Sequence, residues 1–390
     1  MADARPGVGP DQADAVTLAR IRAAADVIRG VAVRTPLLPF GRPEAGDPFG
    51  RTRVWLKPES LQPIGAFKLR GAYYNIATLS AERRAAGVVS HSSGNHAQGV
   101  ARAARLLGVR AVIVMPSDAP RIKVERVRED GAEIVFVGPS SEERAARAAE
   151  LARVEGLSMV APYDDAATIT GQGTIGLEIV EQLAALEEGG AGGPGAGVAP
   201  ADSAPAGALA AGVAPAGALP TEVERGRTDG QPFTVLVPVG GGGIAAGVAV
   251  AVKTLRPDAV VIGVEPALAA DARDSLARGE VVTWPAEAVG QTIADGQRTA
   301  SIGQIPFRLM RRYLDRIVTV GEDEIARAMV RASREARLVL EPSGATTLAA
   351  WLFHAEELPA NGRVVCILSG GNVDPARYDE LLARGVAAGG

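Results

Sequence analysis

Cysteine is almost missing from this 390-residue chain: Cys366 is the single one, set in the apolar run RVVCIL. An intramolecular disulfide is therefore excluded. The thiol reads as a small buried core group, and a reducing cytoplasm is the natural compartment. A strong excess of either charge is missing too. The net charge of −4 and an isoelectric point near 5.7 give no electrostatic case for nucleic acid or an anionic membrane. No uninterrupted apolar run reaches the length of a bilayer span. The opening stretch MADARPGVGPDQADA lacks the apolar centre of a secretory leader. What is present is 47% hydrophobic residues, ample for a sizeable core. The length predicts two lobes, or one large α/β unit with a subdomain.

Strand-like and helix-like stretches alternate along the chain. Residues 1–13 are polar, with Pro and Gly, and read as disordered. VTLARIRAAADVIRG has helical spacing and ends at Gly30. VWLKPES reads as a short strand. GVVSHS is a second, followed by a Gly-Asn loop and a helix from about Ala97 to Leu107. RAVIVMP and AEIVFVG are strands with the helix IKVERVREDG between them. The helix SEERAARAAELARVEG follows, then a short strand over Val160 to Tyr163. FTVLVPV, VVIGVEP, IVTV and VVCIL continue the strand series. Helices are expected after the tetraglycine, over Ser301–Tyr313 and over Glu322–Arg337. This alternation predicts an α/β fold with parallel sheets and helices on both faces. From Gly189 to Pro232 the chain is mostly Ala, Gly and Pro, with APAGAL at Ala204 and again at Ala214. Such a segment cannot bury enough apolar surface to order itself and reads as a disordered insertion.

Five short stretches carry chemical meaning. Lys68 stands after a Gln-Pro-Ile-Gly turn and before a run with helical spacing, between Phe67 and Leu69. An amine at such a junction is partly desolvated, which favours its neutral, nucleophilic form. Gly240 to Gly243 follow a β-branched strand and precede a helix. Consecutive glycines there let backbone N–H groups approach an anion, and the helix adds its positive end. A phosphate suits this loop, although neither the spaced-glycine dinucleotide fingerprint nor a P-loop is present. Ser92 to His96 (SSGNH) form a second strand-to-helix loop. It suits a carboxylate, although taken alone plain N-capping explains it better. Ser369-Gly370-Gly371-Asn372 end the last core strand, as a turn or as a hydroxyl in a pocket. Glu265, the Ala269 carbonyl and Asp271 offer oxygen ligands to a hard cation such as Mg²⁺ or Ca²⁺, or are simply solvated acids at a strand end.

The stretches LQPIGAFKLRGA, SSGNH, PVGGGG and SGGNVD, in this order, resemble the pyridoxal-phosphate enzymes of the tryptophan-synthase β fold (fold type II). The branch is that of the serine/threonine dehydratases, which includes serine racemase, and the resemblance runs from about Thr35 to Asp374. It implies a two-lobed enzyme. Residues 14–85 and 168–390 would form a large cofactor-binding domain, and 86–167 a small substrate-closing one. Lys68 would form the Schiff base with pyridoxal 5'-phosphate and remove the α-proton of the substrate. Phe67 would pack beside the ring, Asn95 would bond its hydroxyl, and Ser369 would face its nitrogen. Gly240, Gly241, Gly242, Gly243 and the Ile244 N–H would hold the phosphate. Ser93 would occupy the face opposite Lys68. The implied reaction is β-elimination on L-threonine or L-serine, giving a 2-oxo acid and ammonia. EPALAAD matches the cation site of racemase-like members, so racemisation and 3-hydroxyaspartate dehydration stay open. A β-replacing, cysteine-synthase-like transferase is less favoured, because His96-Ala97 stand where those relatives continue with Thr-Gly. Ala66 departs from the Ser that many relatives carry before Phe-Lys. The resemblance further implies a homodimer or higher homo-oligomer. With little chain after SGGNVD, feedback inhibition through a C-terminal regulatory domain is not expected.

Overall fold

The computed structural model describes residues 11–41, 54–92, 94–119, 121–138, 141–190, 230–360 and 362–390. Among the described residues, ten strands fall into two sheets. The larger sheet contains β1 (Leu38–Phe40), β2 (Val54–Pro58), β7 (Phe233–Pro238), β8 (Val260–Pro266), β9 (Arg316–Val320) and β10 (Arg363–Leu368). Its order is β1-β2-β10-β7-β8-β9. Only the edge strand β1 runs antiparallel, pairing Leu38 with Leu56. The smaller sheet contains β3 (Val88–His91), β4 (Ala111–Pro116), β5 (Glu133–Val137) and β6 (Ser158–Met159). It is all parallel, in the order β5-β4-β3-β6. Strands β4 and β7 are buried at every residue, as continuous apolar runs covered on both faces must be.

The strand order decides where a ligand can sit. Strand β10 lies between β2 and β7, with Leu368 opposite Pro58 and Cys366 opposite Leu236. All three point the same way. The segments leaving them, toward Lys68, Gly240 and Ser369, therefore emerge along one edge of the sheet. In open parallel sheets the crevice beyond the carboxyl ends of the strands is where ligands bind.

Glycines set how closely the helices approach. The helix Lys68–Ala77 lies against the long helix Ala166–Gly190, where a Cβ on Gly171 would come within 2.6 Å of the Gly71 Cα. On its other side a Cβ on Gly99 would lie 3.2 Å from the Lys68 carbonyl, so the helix Asn95–Leu107 presses on the same residue. The fully buried Leu69 and Ile76 fill the space between. Each such side chain contributes about 1.5–3 kcal/mol by leaving water.

The structure departs from the sequence expectations at several ends. Asp11–Asp14 form a helical turn inside the stretch expected to be disordered, because Ala13 and Val16 pack on the core. The long helix continues to Gly190, past the expected start of the insertion, and residues 191–229 lie outside the described ones. The helix from Glu322 stops at Arg331. A π turn over Ala332–Ala336 follows and closes with Arg337 in the left-handed region at φ 60°. The helices Pro342–Phe353 and Pro375–Ala387 have no counterpart among the sequence expectations. The first is apolar on nearly all sides and so shows no helical stripe. Among the described residues no helix is long and apolar enough to cross a membrane.

Candidate active site

After β2 the chain turns at Gly65, whose φ of +72° lies in the left-handed region; a Cβ there would sit 2.5 Å from the Asn372 Oδ1. Only glycine fits both conditions. The next residues are stitched to the end of β10. Ala66 bridges Gly370, the Phe67 N–H donates to the Ser369 carbonyl at 3.1 Å, and the Gly371 N–H donates to the Gly65 carbonyl at 2.9 Å. The helix then begins at Lys68. Its Nζ donates to the Pro162 carbonyl at 2.7 Å and lies 5.1 Å from the Phe67 ring centre. Lys68 is only partly accessible, and desolvation of its crowded amine lowers the pKa to about 8. An amine in water titrates near ~10.4.

Tyr163, next to Pro162, lies against the tetraglycine loop. A Cβ on Gly241 would fall 2.2 Å from the Tyr163 ring, and one on Gly243 would fall 3.0 Å from its Cα. Gly240 and Gly242 are crowded from other sides, by Gln297 and Pro306, and Gly242 has φ +87°. The loop ends in the helix Gly243–Leu255, whose first-turn N–H groups have no acceptor inside the helix. The glycine turn and the low-pKa amine are thus joined through the Pro162-Tyr163 segment.

The remaining site residues are each held by hydrogen bonds. Asn95, first in its helix, donates from Nδ2 to the Glu341 Oε1 at 2.6 Å; its Oδ1 accepts from the Asn372 Nδ2 at 2.8 Å. The Glu341 pKa is pushed up to about 8, chiefly by burial and then by the charge of Asp295. Asp295 pairs with Lys123 at 2.6 Å. The buried Ser369 donates to the Ser343 carbonyl at 3.2 Å, and the Ser343 hydroxyl accepts from the Gly296 N–H at 2.8 Å. His96 is buried with Nε2 at 3.0 Å from the Val160 carbonyl, and burial together with the Lys68 charge drives its pKa down to about 3. It is a neutral imidazole. Ser93 lies outside the described residues.

Glu265 is buried near the end of β8 and Asp271 is buried just beyond it, at the start of the next helix. Glu265 accepts from the N–H groups of Ala272 and Arg273 at 3.1 and 2.9 Å, yet burial and the nearby Asp271 raise its pKa well above the carboxylate range. Burial lifts Asp271 to about 7, and neither of its carboxylate oxygens has a hydrogen-bond partner among the described residues.

A family model described as pyridoxal-phosphate dependent enzyme matches residues 28–222 and 211–370. The chain belongs to the pyridoxal-phosphate-dependent enzyme family. It is 36% identical over 338 residues to the L-threonine ammonia-lyase of Thermotoga maritima, covering 86% of this chain and 71% of that one. It is 36% identical over 322 residues to the biosynthetic L-threonine dehydratase IlvA of Haemophilus influenzae. That match covers 82% of this chain and spans about half, 53%, of the relative. Among solved structures, the threonine deaminase from T.th. superposes with a TM-score of 0.73 at 37% identity, covering 92% of this chain and 99% of that one.

The residues of this pyridoxal-phosphate enzyme fit its cofactor. A desolvated amine suits an aldehyde, and a turn that no side chain could share suits a phosphate. The sequence signals Lys68, Asn95, the four glycines and Ser369. It does not signal Glu341, or any role for Asn372. A buried ionic group under the Lys68 helix is likewise absent from the sequence reading. The Arg70 guanidinium contacts Glu59 at 2.8 and 2.9 Å and Glu178 at 2.6 and 3.0 Å. Lys57 reaches Glu178 at 2.6 Å. A lysine inside the strand VWLKP is the available signal, since such a charge must find a partner.

Lys68 gives a first test. Uptake of pyridoxal phosphate by cofactor-free protein, followed by absorbance, is expected to quicken with pH and level off above about 8, because the neutral amine reacts. Uptake still accelerating near pH ~10 marks a lysine with the solvated value and contradicts the site.

Proposed function

We propose that this enzyme is an ammonia-lyase that converts a small β-hydroxy amino acid, L-threonine or L-serine, into a 2-oxo acid and ammonia by β-elimination. The observation that carries the reading is the Lys68 amine held at 2.7 Å from the Pro162 carbonyl, one residue from the Tyr163 that packs on the tetraglycine loop. The threonine ammonia-lyase and threonine deaminase likenesses support the substrate class.

Pyridoxal phosphate, when bound, supplies an electron sink that makes the α-proton of an amino acid acidic. The chain's own residues take the other parts. Lys68 would bond the cofactor aldehyde and serve as the base for the α-proton. A pKa near 8 lets it take and return a proton close to neutral pH. Gly240 to Gly243 and the Ile244 N–H would hold the phosphate. Asn95 would donate to the ring hydroxyl, Phe67 would pack beside the ring, and Ser369 would face the ring nitrogen. His96 does not compete as a base, since its Nε2 is engaged and its pKa is about 3. Loss of the β-hydroxyl as water leaves an enamine, which water converts to the 2-oxo acid and ammonia. The Glu265, Ala269 and Asp271 oxygens would hold Mg²⁺ or Ca²⁺. Both acids are buried, and the Asp271 carboxylate oxygens, without a hydrogen-bond partner among the described residues, are a donor pair that a divalent ion would satisfy.

A screen of β-hydroxy amino acids for ammonia and 2-oxo acid release, with and without Mg²⁺, tests both statements. Threonine or serine is expected to turn over, and added sulfide is expected not to divert the product. Mg²⁺ or Ca²⁺ is expected to raise the melting temperature in the parent and not in Glu265→Gln or Asp271→Asn. Ammonia release from none of these substrates, in a protein whose visible band bleaches with borohydride, defeats the lyase reading.

A further inference from the structure

A carboxamide presents a donor at one end and an acceptor at the other, and nothing in its shape decides which end faces which neighbour. In this site the neighbours decide. Asn372 touches two groups of fixed character. The Arg126 guanidinium can only donate, and it donates to the Asn372 Oδ1. The Ile64 carbonyl can only accept, and it receives the Asn372 Nδ2 at 2.7 Å. Both contacts impose the same orientation, so the Asn372 Nδ2 is the atom turned toward Asn95, at 2.8 Å. Asn95 must meet it with Oδ1. Its Nδ2 is thereby turned the other way, toward the Glu341 Oε1 at 2.6 Å. One N–H of that nitrogen is used on Glu341, and the second remains for a ligand.

We propose that Asn372 is a positioning residue: without touching the cofactor, it sets the hydrogen-bond polarity of Asn95, so that the site offers the cofactor's ring oxygen an N–H and not a carbonyl. This rests on the reading that Asn95 faces that ring oxygen. The consequence is chemical. An N–H donor stabilises the ionised ring oxygen, whereas an amide oxygen in the same place repels it and favours the protonated form. Arg126 belongs to the helix Arg121–Glu129, between β4 and β5 of the smaller sheet, whereas Asn372 follows β10 of the larger one. The donor polarity at the ring therefore depends on a contact between elements of both sheets. Gly65 protects the arrangement, since any side chain there would strike the Asn372 carboxamide.

Asn372→Asp is the direct test, because it keeps the shape and replaces the donor by an acceptor. Aspartate still receives Arg126 but can no longer donate to Asn95, which must then turn its nitrogen to the aspartate and its oxygen toward the ring. The readouts are the ratio of the two absorption bands that report ionised and neutral ring hydroxyl in substrate-free, cofactor-loaded protein, and the dissociation constant of pyridoxal phosphate. Asn372→Asp is expected to shift the ratio toward the neutral form and weaken cofactor retention about tenfold, the scale of one charge-assisted hydrogen bond. Asn372→Ala, which releases the constraint without reversing it, is expected to do so less. In an Asn95→Ala background the Asn372→Asp shift is expected to vanish, since the two residues act as one unit. An unchanged band ratio in folded Asn372→Asp overturns the proposal, as does a shift that persists in the Asn95→Ala background, which would be the direct field of the new charge. If Asn95→Ala alone leaves the spectrum unchanged, Asn95 does not face the ring, and the underlying reading falls together with the proposal.

Discussion

Lys68→Ala is expected to abolish 2-oxo acid release while leaving the protein folded. Two functions vanish together: the covalent anchor for the cofactor aldehyde and the base for the α-proton. A positioned base alone is worth roughly 10²–10⁴ in rate, and residues that act as a unit lose most of their effect when one is removed. The fold is expected to tolerate the change. The side chain beyond Cβ makes one hydrogen bond, to the Pro162 carbonyl, and the helix is held by Leu69, Arg70 and Ile76, which are fully buried. Removing the amine also relieves a desolvated group whose pKa sits near 8. The measurement is 2-oxobutanoate release from threonine beside a melting curve. A variant that keeps parental turnover would show that another amine does the chemistry.

The second large effect concerns stability. Arg70→Met is expected to cost on the order of 3–5 kcal/mol, the range for breaking a buried ionic group from one side. The four charges balance. Lys57 and Arg70 face Glu59 and Glu178, and Lys57, Glu59 and Arg70 are completely buried. Burial works to raise the Glu59 pKa, but Arg70 beside it overrides this and holds the carboxyl below its ordinary range. Burial lowers the Lys57 pKa against the pull of Glu178. Without Arg70, two carboxylates share one ammonium in a dry site. Arg70→Lys is expected to rescue little, because a single ammonium cannot contact both carboxylates in the paired manner of the guanidinium. Urea unfolding of parent and variant measures the difference, and a midpoint unchanged within error refutes the estimate. The sign with pH follows from Glu59. A depressed folded pKa contributes stability present above the unfolded carboxylate value of about 4.5 and lost as pH falls through the folded one.

The parts legible in sequence share one property: their meaning is local. A lysine at a turn-to-helix junction, four glycines between a strand and a helix, and a serine ending an apolar strand each announce themselves within a dozen residues. The strand series is legible for the same reason, since β4 is a continuous apolar run and β7, β8 and β10 are apolar but for Thr234, Glu265 and Arg363. What stays hidden depends on partners far apart in the chain. Asn95 meets Glu341 across 246 positions, and Arg70 meets Glu178 across 108. No periodicity or spacing encodes such a pairing; it exists only once two sheets and the long helix have fixed the distance. The helix Pro342–Phe353, which Glu341 precedes, is obscure because a helix buried through Ala350 and apolar at its end has no polar face to give it a period.

The place of β10 in the larger sheet also bears on how the molecule comes to be made. It is the final strand in chain order, yet it is sandwiched between β2 and β7. A nascent polypeptide that has emerged only as far as β9 has two unmatched edges waiting for a segment still inside the ribosome. Closing that gap joins residues more than three hundred positions apart, such as Val54 with Val364, so it ranks among the slowest contacts to form. The segment carrying Lys68 is stitched to the end of that strand, so the cleft between them is expected to be completed only once β10 is in place.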